Sequence, residues 1–527
     1  MARPNIVFIL ADDHAAKAIS CYGAGINRTP NMDRLAAEGM KFNHCYVTNS
    51  ICTPSRAAIL CGTHNHVNGV MTLDSKINKH LPNVAKALRS EAGYATAMVG
   101  KWHLGEGQEH EPTGFDHWSV LPGQGEYWDP AFIGPDGAAV EPGYATDIIT
   151  KKSLDWIDAV RAEDPARPFF LMCHHKAPHR SWEAHPRHKD LYTDPVRVPE
   201  TFDDDYKNRA KAASLAKMRV AEDLTYYDLG LVQPEGSGDA VGERLASEGF
   251  STHRKIPAPT TEAGVRALRL IDKADGRVFT FATPDALAQF KYKRYMQRYL
   301  RTIQAIDDSV GAVLDYLDRE GLADNTMVLY SSDQGFFLGE HGWFDKRFMY
   351  EESFQMPLLV RYPPTVAPGS VCDAIVSNVD FAPTWLDVAG VRIPSYMQGV
   401  SFRPLLENEG NAPPAWQQVA YHRYWMNNDE GHNVLAHYGV RNHRYKLIYW
   451  YNEDLGVAGA RPCTDYTEKE WELFDCDKDP LELFNVYHDP AYADTVVELT
   501  RMLEEKMAEI GDEPVHKTAA QKTMVRT

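Results

Sequence analysis

Five short apolar runs constrain this chain more than any other feature. Asn5 to Leu10, Tyr94 to Val99, Phe169 to Cys173, Met327 to Tyr330 and Leu358 to Val360 have strand character, and each stops abruptly at polar residues. A strand that is apolar on both faces has to be covered on both, so these segments belong to a buried sheet. Helical patterns fall between them: Thr29-Pro30 opens one that stops at Gly39, and Leu300, Ile303, Ile306, Val310, Val313, Leu314 and Leu317 recur at helical spacing. Strands alternating with helices predict an α/β sandwich. At 527 residues and 44% hydrophobic composition, the chain buries a large core and should form more than one unit.

The rhythm breaks between about residues 200 and 290, where a charged stretch is followed by Pro234-Glu235-Gly236-Ser237-Gly238-Asp239. This reads as an insertion packed on the main unit, where it could shape a pocket or an oligomer contact. Beyond about residue 410 the pattern changes again, with strand-like Tyr445 to Trp450 and Trp471 to Phe474 and a closing helix from about 490 to 511. The expected division is a larger domain over 1–410, carrying the insertion, and a smaller α+β subdomain over 411–527.

In open α/β sheets ligands bind beyond the carboxyl ends of the strands. After the first run come Asp12 and Asp13, after the second Lys101 and His103, after the third His174, His175, Lys176 and His179, and after the fourth Asp333 and Gln334. An Asp-Asp pair behind a strand can equally be a turn or a helix cap. Three carboxylates and an amide oxygen brought to one edge, however, make a hard all-oxygen site suited to Ca²⁺ or Mg²⁺ rather than to zinc.

The formal net charge of -18 argues against nucleic acid or an anionic membrane as partner, so an anionic substrate would need a local cationic pocket. The eight cysteines form no CxxC pair or dense framework and read as reduced thiols. The amino terminus meets Asp12 and Asp13 too soon for an export signal, and no apolar stretch approaches the roughly 20 residues of a membrane span. The expected compartment is the cytoplasm.

The sharpest local signal is Cys52-Thr53-Pro54-Ser55-Arg56, continuing to Leu60, Cys61 and Gly62. Thr53 can cap a helix and Pro54 can take its first position, which sets Cys52 at a helix entrance. Free N–H groups there favour an anion, and the Arg56 fork one turn later suits sulfate or phosphate oxygens.

This stretch resembles the sulfatase signature, in which the cysteine is oxidised to formylglycine by a formylglycine-generating enzyme. The resemblance extends through Asn5 to Asp13, Gly100-Lys101-Trp102-His103-Leu104-Gly105, Ser332-Asp333-Gln334-Gly335, Gly339-Glu340-His341-Gly342, Lys346 and Tyr445-Lys446-Leu447-Ile448. It implies an alkaline-phosphatase-like fold, with a mixed, largely parallel central sheet sandwiched by helices. It also implies that Asp12, Asp13, Asp333 and Gln334 hold a metal, usually calcium with Mg²⁺ or Mn²⁺ as alternatives, together with modified Cys52. Arg56 and Lys101 would steady nucleophile and sulfate, His103 would be a base, and Lys346 with His175 or His179 would contact sulfate and leaving oxygen. Gln334 departs from the more frequent Asn or His, and Cys61 from the usual Thr.

The implied reaction hydrates the aldehyde at residue 52, one hydroxyl of which attacks sulfur, after which His103 takes a proton from the other and sulfate is expelled. The segment from Gly342 to Ser353 resembles sulfatases acting on sulfated sugars, so a small sulfated sugar or aryl sulfate is the expected substrate. Two rivals remain: a phosphonate monoester or phosphodiester hydrolase on the same fold, and a non-catalytic binder of sulfated glycans. Turnover of an aryl sulfate separates the second. His174, His185, His341, His432 and His437 read as structural, although His432 and His437 could line the pocket.

Overall fold

The computed structural model describes residues 3–194, 196–233, 244–245 and 258–517. Its centre is an 11-stranded sheet. From edge to edge the strands are Ser370–Cys372, Met40–Tyr46, Gln355–Arg361, Thr326–Ser332, Asn5–Ala11, Phe169–His174, Ala95–Lys101, His117–Leu121, Ala131–Gly134 and Gly137–Val140, with Val376–Ser377 also pairing with Met40–Tyr46. The run from Thr326–Ser332 to His117–Leu121 is parallel throughout. Gln355–Arg361 joins it antiparallel, so the sheet is mixed and largely parallel at its core, as expected. All five apolar runs coincide with its strands.

Alternate residues of a central strand serve opposite cores. On Asn5–Ala11, Ile6, Phe8 and Leu10 pack into the cluster holding Leu60, Leu88 and Trp385. Val7, Ile9 and Ala11 pack with Met32, Ile157, Ile306 and Val310 on the other face. Each fully buried Leu, Ile or Val contributes about 1.5–3 kcal/mol. Such a strand is therefore a rigid base for whatever follows its carboxyl end.

The helix expected around Leu300 to Leu317 is longer, spanning Pro284–Arg319, and starts at Thr283, whose side chain accepts from the Ala286 N–H. Its second half lies under the sheet. Its first half, with Leu287, Tyr292, Tyr295 and Tyr299, packs against Trp182 and against Leu229, Leu231 and Leu270 of the inserted region. That region carries a three-stranded sheet of Leu231–Val232, Leu270–Asp272 and Val278–Phe279. The Pro234 to Asp239 stretch lies outside the described residues.

The carboxy-terminal strands Ala420–Tyr424, His437–Arg441, Tyr445–Trp450 and Glu470–Asp475 form an antiparallel sheet. Tyr424, Ile448, Trp450 and Phe474 face the main core, while Tyr421, Tyr438, Leu447 and Tyr449 are covered by Leu499, Leu503 and Met507 of helix Ala493–Ile510. All eight cysteines are free thiols. Among the described residues no helix is long and apolar enough to cross a membrane.

Candidate active site

Register decides where the site forms. Ala11 pairs with Ser332 at the ends of neighbouring parallel strands, which sets Asp12 and Asp13 beside Asp333 and Gln334. The Asp13 N–H donates to Asp333 Oδ1 at 3.1 Å. One oxygen from each of Asp12, Asp13 and Asp333 lies within 4.8 Å of the other two. Gly100 has a φ of 101°, and a Cβ there would sit 1.9 Å from the His174 carbonyl. Only glycine fits, and the backbone it permits delivers Lys101, the last residue of its strand.

Lys101 donates to Asp12 and to the Gln124 side chain, and Lys346 donates to Asp13. Arg56 donates from Nε and Nη2 to Asp333 Oδ2, and from Nη1 to the Lys101 carbonyl at 2.9 Å. It sits on helix Cys52–Cys61, every residue of which is buried. That helix begins two residues earlier than its sequence suggests. Ile51 is its N-cap, Pro54 is its third residue, and no side chain caps it. Proline is tolerated there because the first four N–H groups lack helical partners anyway. Thr53 Oγ1 lies instead 3.2 Å from His103 Nδ1.

Crowding of like charges shapes the electrostatics. Burial and the neighbouring Asp12 push Asp333 up to about 7, and burial with Asp12 pushes Asp13 up to about 6. Burial would raise Asp12 too, but Lys101, His179 and Arg56 hold it well below the usual carboxylate range. Burial and then Asp12 push the Cys52 thiol up to about 12. His103 and His179 are both held well below the usual imidazole range by burial and then by Lys101. Two buried oxygens in this cluster, Asp12 Oδ1 and Gln334 Oε1, have no hydrogen-bond partner, although the Gln334 amide donates to Asp13. Crowded carboxylates with orphaned acceptors suit a hard divalent cation, which would supply the missing positive partner.

Cys52, His179, Lys346 and Gln124 open onto a cavity of ≈ 210 Å³. His179 Nδ1 donates to the Arg180 carbonyl at 2.6 Å, and its Nε2 lies 3.8 Å from Asp13. His175 points elsewhere: its Nε2 is 3.0 Å from Ser309 Oγ on the long helix, so of the two histidines left open by the sequence only His179 joins the cluster. His437 is also excluded, with its ring 4.2 Å from that of Trp450. His432 does line the cavity.

Sequence reasoning missed the cavity's outer wall. Asp345, buried and not itself part of the lining, accepts from the wall residues Arg180 at 2.7 Å and Arg347, and meets His432 at 3.1 Å. His432 in turn meets Asp429 at 2.6 Å. Despite burial, Arg180, Arg347 and His432 hold Asp345 well below the usual carboxylate range. Asp13, His103, Asp345 and Arg347 have φ values of 69°, 54°, 78° and 92°. Such backbone costs about 1–3 kcal/mol per residue and persists where its surroundings enforce it. The adjacency of Asp345 and Arg347 to Lys346, and of Arg180 to His179, was the available signal. Asp429 had none.

Comparison with known proteins identifies the family of the chain. The sulfatase family model matches residues 4–391, and the N-sulphoglucosamine sulphohydrolase C-terminal model matches residues 339–509. An N-acetylglucosamine-6-O-sulfatase of Bacteroides thetaiotaomicron is 43% identical over 97% of this chain and 87% of its own length. A solved structure in complex with its substrate D-glucosamine-2-N,6-O-disulfate is 41% identical, with a TM-score of 0.83 over 97% of this chain and 98% of that one. A phosphonate monoester hydrolase from Silicibacter pomeroyi shares the fold at 20% identity and a TM-score of 0.66, covering 96% of each chain.

Proposed function

The chain belongs to the sulfatase family and is a sulfuric ester hydrolase, and on that premise we propose that it removes the 6-O-sulfate of a glucosamine-type sugar through a formylglycine made from Cys52. The observation that carries this reading is the opening of Cys52 onto a cavity of ≈ 210 Å³ walled by His179, Lys346, Arg347 and His432. That volume lies below the roughly 300–1,000 Å³ of drug-sized pockets, which suits one sugar ring. The substrates named for the two most similar relatives above, both glucosamine derivatives sulfated at O6, support the choice of ring and position.

Asp12, Asp13, Asp333 and the Gln334 amide would hold a divalent cation, with residue 52 completing the set. The all-oxygen donors favour Ca²⁺, with Mg²⁺ or Mn²⁺ as alternatives. When bound, such an ion offsets the sulfate charge and sharpens an oxygen nucleophile. The hydrated aldehyde supplies that oxygen, which a thiol cannot.

The other side chains bind, orient and move protons. Lys101, Lys346 and Arg56 balance the charge of the incoming ester. The Nδ1–H of His179 is committed to the Arg180 carbonyl, so Nε2 is the atom left to face the departing sugar oxygen. Protonation there is favoured once an anionic ester has entered. His103, kept neutral by its surroundings, can accept the proton released at residue 52. The Arg347, Asp429 and His432 wall offers acceptors and donors to sugar hydroxyls.

Peptide mass spectrometry across Cys52, after co-expression with a formylglycine-generating enzyme, should find the aldehyde. The matured protein should release sulfate from N-acetylglucosamine 6-sulfate faster than from 3- or 4-sulfated isomers or from a phosphonate monoester. An intact thiol beside a modified control sulfatase, or preference for the phosphonate, would defeat the reading.

A further inference from the structure

A second cavity, of ≈ 570 Å³, approaches the Cys52–Thr53 segment from another side. Cys52 and Gln124 line the smaller cavity, their neighbours Thr53 and Gly123 line the larger, and Leu73 is a wall of both. The two cavities therefore adjoin at Leu73. His103 is reached from this second side.

The lining states what could enter. Trp102, Trp118 and Ile133, with Leu73, offer flat apolar surface on which the C–H face of a pyranose or an arene can stack. Around them stand three carboxylates, Asp74, Glu106 and Glu111, against one lysine, Lys76. Asp74, Lys76 and Glu106 are exposed and Glu111 is half-buried. Such carboxylates accept hydrogen bonds from hydroxyl groups and repel a uronate or a second sulfate.

We propose that this cavity is a second subsite, one that takes a neutral ring attached to the sulfated sugar, either a saccharide or an aryl aglycone, and disfavours an anionic one. The proposal rests on the reading of the chain as a glucosamine 6-sulfatase and extends it to the part of the substrate that does not react.

The test uses matured full-length protein and three 6-sulfated N-acetylglucosamines carrying methyl, 4-nitrophenyl or glucuronyl at the anomeric oxygen. The 4-nitrophenyl compound should exceed the methyl one in kcat/KM by about tenfold, a contrast an apolar pocket can supply, and the glucuronyl compound should fall below it. Ile133→Trp, which fills the cavity, should bring the 4-nitrophenyl to methyl ratio close to one. Asp74→Lys with Glu111→Lys should raise the glucuronyl compound relative to the methyl one. Equal rates on all three, or an aryl preference that survives Ile133→Trp, would overturn the subsite. If protein shown to carry the aldehyde turned over none of the three, the 6-sulfatase reading itself would fail. Calorimetric titration with unsulfated 4-nitrophenyl N-acetylglucosaminide then decides the subsite alone: saturable heat weakened by Ile133→Trp upholds it, and no heat refutes it.

Discussion

Arg56 grips Asp333 with two nitrogens on one oxygen, Nε at 3.0 Å and Nη2 at 2.8 Å from Oδ2. The contact ties the Cys52 helix to the end of the Thr326–Ser332 strand, and the Arg56 bond to the Lys101 carbonyl adds a third element. Removing one member of a buried pair leaves the other charge unpaired, at a cost of about 3–5 kcal/mol. In chelator-treated protein, Arg56→Ala should lower the urea-unfolding free energy by that amount. Asp333→Asn in the same background should restore part of it. A single variant as stable as the wild type would show that the tie is dispensable.

Three crowded carboxylates predict a thermal response to metal. Calcium should raise the melting temperature of chelator-stripped protein, because a cation at 100 times its Kd adds about 2.7 kcal/mol to the folded state. Asp13→Asn should diminish the response, and Asp12→Asn with Asp333→Asn should abolish it. A full response in the double variant would place the ion elsewhere.

The two histidines should separate by leaving group. His179→Ala should lower kcat/KM on an unactivated sugar sulfate by about 10²–10⁴-fold and much less on 4-nitrophenyl sulfate, whose leaving oxygen needs little protonation. His175→Ala, which loses its Ser309 contact, should change stability more than the ratio between these substrates. The reverse pattern would exchange the roles assigned to them.

Lys291 provides a pH test remote from the site. It is buried, donates to the Ala221 carbonyl at 2.7 Å, and is pushed down to about 7 by that burial. Between pH 7 and the ordinary lysine value of about 10.4, the unfolded chain holds a proton there that the folded chain has lost. Stability should therefore rise with pH across that window. Urea titrations at pH 7 and 9 should show less of this rise in Lys291→Met than in the wild type. Identical slopes would mean that Lys291 keeps its charge.

The fold was legible wherever burial leaves a periodic mark. The apolar runs, Tyr445 to Trp450 and the long helix under the sheet were visible because both faces or one stripe had to be covered. The Cys52 helix start was misjudged by two residues because Thr53 looks like a cap, and in the fold its hydroxyl approaches His103 instead. Within the site, strand-end residues could be found from the rule of strand ends alone. His179 could not be preferred to His175, because which side of a loop a ring takes depends on tertiary partners such as Ser309. Asp429 lies in a loop, where no period constrains it and only the cavity reveals it.

The acids, bases and Cys52 all lie at or before Lys346, whereas Met426, Asp429, Glu430 and His432 reach the cavity from the loop between Ala420–Tyr424 and His437–Arg441. One part of the cavity wall thus travels on a stretch of polypeptide separate from the reactive centre. Selection can retarget such an enzyme by drift in one late loop, without disturbing a centre whose charges tolerate almost no change. On the ribosome, the same arrangement means that the reactive centre is synthesised well before this last part of the wall that restricts what may reach it.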